Sequence, residues 1–412
     1  MQIFRETSCM NPAMELLEDV RVGPEIRIGG MMKTLILSAL LALCSAPLLG
    51  QRSHFGLYVN PDIDTADADI SQVISLWRNY LNSHPDSSYD NPYWAGSEKK
   101  RYTKFDFLNT AYFNPSFYYL LPFHKTTVMS ISKIDSVFVI RTLFASVTDS
   151  GFCRPFCITL VAAAREDGQY RLCNILPIST RRWQRENVGS ITFIFPPSHH
   201  FNRELAQRMN DFVDSLTAMW NVKPHPTDFY LADDLSDIMR MRGFDFYAGE
   251  GYNRGTGGVA DIANSIVFGA GQDEWYPHEF VHVYVNPLFP NAHNYFLEGY
   301  AALLGGSRGH EILWHMKRIE QYLEEHPELD LNDLLGFGHF DGITDPKYVF
   351  GGLLCDMALQ KGGLPALKRL MSFGSHEKDF YLAIESHFGV QQQDLNKFIR
   401  AGLKEYRANH SR

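Results

Sequence analysis

The sequence predicts an α+β protein in two parts: a small α+β roll at the N-terminal side, then a domain with a small sheet and a mainly helical C-terminal half. Three observations carry this. The chain has 412 residues, more than one small domain needs. Apolar runs of strand type cluster between residues 125 and 175. From Asp273 onward, apolar residues recur at helical spacing almost to the C-terminus. The composition, 45% hydrophobic, 13% aromatic and 21% charged, supplies ample core. A net charge of −9 without basic runs excludes a nucleic-acid partner, which requires clustered Lys and Arg.

The first segment falls outside any fold. "MMKTLILSALLALCSAPLLGQ" has Lys33, an apolar run from Leu35 and then small residues. That is the layout of a secretory signal peptide. Residues 1–50 are therefore expected to be a leader region. Residues 1–30 read as a mis-called start ahead of Met31 or Met32. The expected location is exported (periplasmic, cell-surface or secreted), with a signal-anchored form as the alternative. Beyond that segment no integral membrane domain is expected. Cys153, Cys157, Cys173 and Cys355 remain after the leader. In an exported protein the first three are close enough along the chain for one disulfide, with the pairing open.

Residues 51–185 read as an accessory domain. "DADISQVISLWRNYLNSH" places Ile70, Val73, Ile74, Trp77, Tyr80 and Leu81 at helical spacing, with Asp67 or Asp69 as N-cap. "TTVMSISKI", "SVFVIRTLFASV", "CITLVAAA" and "YRLCNIL" read as strands, the last two joined by a hairpin at Asp167-Gly168. Residues 186–412 form the second domain. "TRRWQRENVGS" reads as the linker into it, "SITFIFPP" and "TDFYLA" as strands, and Asn202 to about Trp220 as a helix between them. His199 and His200 read as exposed loop residues. "SIVFG" reads as an edge strand able to pair with an extended peptide.

"YPHEFVHVYVNPLFPNAHNYFLEGYAALLGG" carries the chemistry. His278, Glu279 and His282 spell H-E-x-x-H. On a helix, positions i and i+4 lie about 40° apart, so both imidazoles reach one metal ion, and Glu279 is placed to accept a proton from water there. Asp273 is the expected N-cap, Pro277 suits the first turn, and Pro287 ends the helix. "HEILWH" is an internal control. His310 and His315 are five apart, diverge by about 140°, and cannot share a metal. Zinc also needs a third protein ligand and an open position. Glu298 supplies the ligand from a second helix, capped by Asn291 or Asn294 and ended by Gly305-Gly306. The loop between the two helices is short and holds Pro287 and Pro290, which favours packing them together.

H-E-x-x-H with a downstream E-G-x-A helix resembles the gluzincin metallopeptidases, in particular the peptidase MA-like group. "YVFGGLLCDMALQKGGLPALKRLM" and "FYLAIESHFGVQQQDLNKFIRAGLKEY" are similar to that family's helical tail. The resemblance covers about residues 189–405 and implies a zincin-like domain. It implies one Zn2+ held by His278, His282 and Glu298, Glu279 as general base, and a peptide or protein as substrate. It further implies a hydroxyl or imidazole from a later helix as oxyanion donor, for which Tyr348 is the first candidate and His293 and Tyr300 are alternatives. The aminopeptidase branch carries a G-x-M-E-N strand. "GGVADIANSIVFG" stands there instead, so endo- and aminopeptidase designs both stay open. The alternative to catalysis is a peptidase-like binding or scaffold protein with a non-catalytic metal site.

Overall fold

The computed structural model describes residues 56–83, 90–106, 124–248, 255–338 and 340–410. The expected leader at 1–50 lies outside them. The fold is mixed α+β with two sheets and many helices. The chain divides into two compact units: residues 1–95, 108–156 and 163–172, and residues 96–107, 157–162 and 173–412.

In the first unit, β1 (Leu57–Val59) precedes helix α1 (Ala68–Leu81), and β2 (Lys125–Ile134), β3 (Val137–Val147), β4 (Cys153–Glu166) and β5 (Gln169–Cys173) follow, except that residues 157–162 of β4 and Cys173 count with the second unit. The sheet order is β1-β2-β3-β4-β5. β1 runs parallel to β2, and β2 and β3 are antiparallel. Asp67 caps α1: its carboxylate accepts from the backbone N–H of Asp69 and Ile70. The β4–β5 hairpin turns where expected, because Asp167 and Gly168 both take positive φ, 50° and 80°, as a tight two-residue turn requires. α1 buries Trp77 and Tyr80, stacked at 5.2 Å, with Trp94 edge-on to Tyr80 at 6.0 Å.

The second unit opens with the short helices α2 (Gly96–Arg101) and α3 (Leu176–Ser179). Its sheet contains β6 (Gln184–Val188), β7 (Ile191–Phe195), β8 (Thr227–Ala232), β10 (Gly257–Asp261) and β11 (Ile266–Ala270), in the order β10-β11-β8-β7-β6. A further strand, β9 (Phe244–Tyr247), pairs with Cys157–Thr159 of β4. Helices α4 (Arg203–Trp220) and α5 (Leu235–Met241) lie among these strands in the chain. β7, β8 and β11 are parallel, and both flanks are antiparallel.

Two expectations are corrected. The predicted linker contains β6, which pairs with β7 along Gln184–Val188; its side chains are polar because they are largely exposed, which hides the strand from hydropathy. From Ile266 on, "SIVFG" lies in β11, an interior strand between β10 and β8 whose five residues Ile266–Ala270 are all buried. The edge is β10.

The sheet's inner face supplies Ile191, Phe193 and Phe195 from β7, Phe229 and Leu231 from β8, and Val267 from β11. They meet Ala206, Met209, Val213 and Leu216 of α4 in one core. The core continues through α6 (Pro277–Val285), α7 (Asn294–Gly305), α8 (Ile312–Glu325), α9 (Pro346–Met371), α10 (Glu377–Phe388) and α11 (Leu395–His410). α9 is broken at Gly362-Gly363, where the backbone leaves helical geometry. Among the described residues no helix is long and apolar enough to cross a membrane. No disulfide joins any of Cys153, Cys157, Cys173 and Cys355, so the expected bridge is not formed among them.

Candidate metal centre

The H-E-x-x-H motif lies on α6. Pro277 opens the helix at a position where its missing N–H costs nothing. The cap differs from expectation. Tyr276 occupies the N-cap without a side-chain bond, and Asp273 instead accepts from the Trp275 N–H in a local turn. α7 differs likewise. Its N-cap is His293, whose Nδ1 accepts from the Tyr295 N–H at 3.3 Å, rather than Asn291 or Asn294. α7 ends at Gly306, as the glycine pair predicts.

Two contacts without side-chain clearance place α7. Near its C-terminus Gly305 meets α6 so closely that a Cβ would lie 2.4 Å from the His278 backbone nitrogen. Glu298 is seven residues earlier, on the same face of α7. It sits two turns back along the contact, and its carboxylate reaches the Nε2 atoms of both His282 and His278. Next to it, a Cβ on Gly299 would lie 2.1 Å from the Gly351 carbonyl carbon and 2.4 Å from the Gly352 nitrogen. Only glycine lets α7 and α9 cross there. The crossing brings up Tyr348, one turn before Gly351 and Gly352.

The structure brings His278, His282 and Glu298 together. The two Nε2 atoms are 3.2 Å apart, and Glu298 Oε2 is 3.6 Å from that of His278 and 3.4 Å from that of His282. Ligand atoms around a tetrahedral zinc with bonds of about 2.0–2.1 Å are separated by about 3.3–3.4 Å. The three atoms fit that spacing to within a few tenths of an ångström. Nδ1 of His278 lies 2.8 Å from the Gly306 carbonyl. A carbonyl only accepts, so Nδ1 carries the proton and Nε2 is left as the lone-pair nitrogen. Nδ1 of His282 lies 3.3 Å from Asn286 Oδ1 and is oriented in the same way. The histidines are buried, whereas the Glu298 side chain keeps 20% of its surface exposed. The cluster thus opens to solvent on the carboxylate side.

Glu279 is buried one residue from His278. The Tyr276 hydroxyl donates to Glu279 Oε1 at 3.4 Å. The Tyr348 ring centre is 5.7 Å from that of His278. Burial pushes both phenols well above their ordinary value, Tyr276 also under the charge of Glu279 and Tyr348 under that of Glu298. Both stay protonated donors at neutral pH. Burial opposes charge on His282, but the hydrogen bond and charge of Glu298, with help from Glu279, outweigh it and raise its pKa to about 9. For Glu298, burial acts upward, yet the hydrogen bonds to His278 and His282 prevail and hold it far below the carboxylate range.

The remaining candidates fall elsewhere. Tyr300 is a core residue whose hydroxyl accepts from Trp220 Nε1 at 3.2 Å. His293 caps α7 and packs on Phe380 at 4.9 Å between centroids. His310 stacks on Trp314 at 3.8 Å, and His315 is buried with both nitrogens bonded to protein oxygens. His199 is not an exposed loop residue. Its Nε2 lies 2.7 Å from Oε1 of the buried Glu274, a hydrogen bond that spans 75 residues and was illegible in the local sequence. Tyr276 went unmarked in the sequence, although its place just ahead of the motif could have flagged it.

No family model matches the chain, and no curated protein matches it. Among solved structures, the chain is similar to the crystal structure of a two-domain M1 zinc metallopeptidase mutant bound to L-arginine, with a TM-score of 0.29 and 10% sequence identity. The match covers 68% of this chain and 62% of that one, so it spans less than two thirds of that protein's length.

Proposed function

We propose that the chain is an exported zinc-dependent peptidase of gluzincin type, with the catalytic machinery on α6, α7 and α9. The observation that carries this reading is the near-tetrahedral spacing of His278 Nε2, His282 Nε2 and Glu298 Oε2, with solvent access on one side. Zinc bound to these three side chains would supply Lewis-acid chemistry, acidifying water and polarising a carbonyl.

The chain's own residues do the rest. Glu279 takes a proton from the attacking water and hands it to the leaving amine. Tyr276 holds that carboxylate in place through its hydroxyl. Tyr348, kept neutral by burial, donates to the substrate carbonyl oxygen as charge develops on it. The substrate is a peptide or protein.

Metal analysis with a peptide library tests this. The expected result is one zinc per chain and hydrolysis that falls by about 10²–10⁴-fold in Glu279→Gln while zinc is kept. A protein without stoichiometric metal, or full activity in Glu279→Gln, would overturn the reading. Zinc at full stoichiometry with no hydrolysis of any peptide would favour a binding role.

A further inference from the structure

The failed lookalike motif has a use of its own. His315 is 2% exposed on α8, and both of its ring nitrogens are engaged. Nε2 lies 2.9 Å from the Ser307 carbonyl and Nδ1 lies 3.0 Å from Thr344 Oγ1. The carbonyl can only accept, so Nε2 carries the proton and Nδ1 accepts from the Thr344 hydroxyl. Arg318 Nε donates to that same Oγ1 at 3.2 Å, which completes a one-way chain from Arg318 through Thr344 and His315 to Ser307. Burial lowers the pKa of His315 and keeps the imidazole neutral, as this chain requires.

Ser307 and Thr344, the two partners of His315, each lead to the metal cluster by a different route. Ser307 follows Gly306, whose carbonyl holds His278 Nδ1 at 2.8 Å. Thr344 precedes Asp345, the N-cap of α9, whose carboxylate accepts from the Lys347 N–H at 2.9 Å. Tyr348 is in the first turn of that helix, and its ring faces His278 at 5.7 Å, closing the circuit. The same two loops are tied again by the Arg308 guanidinium donating to the Gly342 carbonyl. Arg318 also pairs with Asp341, whose Oδ1 accepts from the N–H of Ile343 and Thr344.

We propose that His315 is a positioning residue, which fixes Tyr348 relative to the first histidine of the site by joining the loop behind His278 to the loop that starts α9. The proposal rests on the peptidase reading for its catalytic consequence. It stands on these bonds for its structural one. The competing account is that the glycine crossing of α7 and α9 alone sets Tyr348, in which case His315 only stabilises the fold.

The test uses the zinc-loaded full chain with His315→Phe, which fills the space and removes both bonds, and Thr344→Val, which cuts only the tie to α9. The second variant carries the test when the first does not fold. Two readouts are taken: peptide hydrolysis, and amide hydrogen exchange over Ser307–His310 and Tyr348–Phe350. The expected result is a kcat lower by about 10–100-fold with KM within about twofold. Zinc stoichiometry stays unchanged and exchange at Tyr348–Phe350 is faster. In a Tyr348→Phe background the same substitutions should cost nothing further. Losses that multiply with Tyr348→Phe, or a lowered Tm with kcat and exchange at Tyr348–Phe350 unchanged, would overturn the proposal. If the wild type hydrolyses no peptide, the peptidase reading falls. The exchange data then decide the positioning role alone: faster exchange supports it, unchanged exchange removes it.

Discussion

At the scale of single residues, the His282–Glu298 pair defines how the metal-free protein responds to pH. His282 has its pKa raised from 6.5 to about 9. Its contribution to stability is complete below the unfolded value and disappears as pH rises through about 9. Glu298 is shifted the opposite way, so its contribution is complete above the unfolded 4.5 and is lost as pH falls through its folded value. In the chelator-treated protein, wild type should exceed Glu298→Gln by on the order of 2 kcal/mol near pH 6, and the gap should shrink towards pH 9. Urea unfolding at the two pH values measures it. A pH-independent gap would mean that the proton is not held between these two side chains. Zinc requires unprotonated imidazole, so loading the metal-free protein below pH 9 should release a proton, visible as a buffer-dependent enthalpy of binding.

At the scale of elements, α6, α7 and α9 meet through absent side chains. Gly299 has no clearance from the α9 backbone at Gly351 and Gly352, and backbone cannot rotate away. Gly299→Ala should therefore force the helices apart, costing about 1–3 kcal/mol by overpacking and lowering hydrolysis as Tyr348 retreats from the site. Gly402→Ala is the control. Its new methyl group would meet the flexible Met357 side chain at 3.2 Å, so stability should change by less than about 1 kcal/mol. Chemical denaturation of the two variants decides it. Equal losses would remove the close-crossing argument.

These contacts also explain what the sequence could and could not disclose. His278 and His282 were legible because their spacing is local and the helix is bounded by Pro277 and Pro287. Glu298 was legible because a short proline-containing loop leaves its helix little choice but to pack back. The position of Tyr348 depends on a crossing between glycines 52 residues apart, which no local pattern records. The caps went to Tyr276 and His293: Asp273 uses its carboxylate on the Trp275 N–H in a turn of its own, and the His293 Nδ1 accepts the Tyr295 N–H in place of an Asn side chain. β6 was read as linker because an exposed strand carries no apolar alternation.

At the scale of the whole molecule, a metal in this cluster would join two helices of one unit. Two of its three ligands come from α6 and the third from α7, and both helices belong to residues 173–412. Binding to the native state alone stabilises by about 4 kcal/mol when free zinc is 1,000 times the dissociation constant. That energy acts only on segments whose opening separates the ligands. Chelation should therefore raise hydrogen exchange in α6, in α7 and in the first half of α9, which crosses α7 at Gly299. It should leave the buried stretch Phe138–Phe144 of β3 unchanged, because that strand belongs to the other unit. Exchange measured with and without chelator, on the same protein and at one pH, gives the answer peptide by peptide. Equal deprotection of β3 and α7 would mean that the two units unfold as one. No deprotection of α7 would mean that Glu298 does not hold the metal, and the peptidase reading would lose its third ligand.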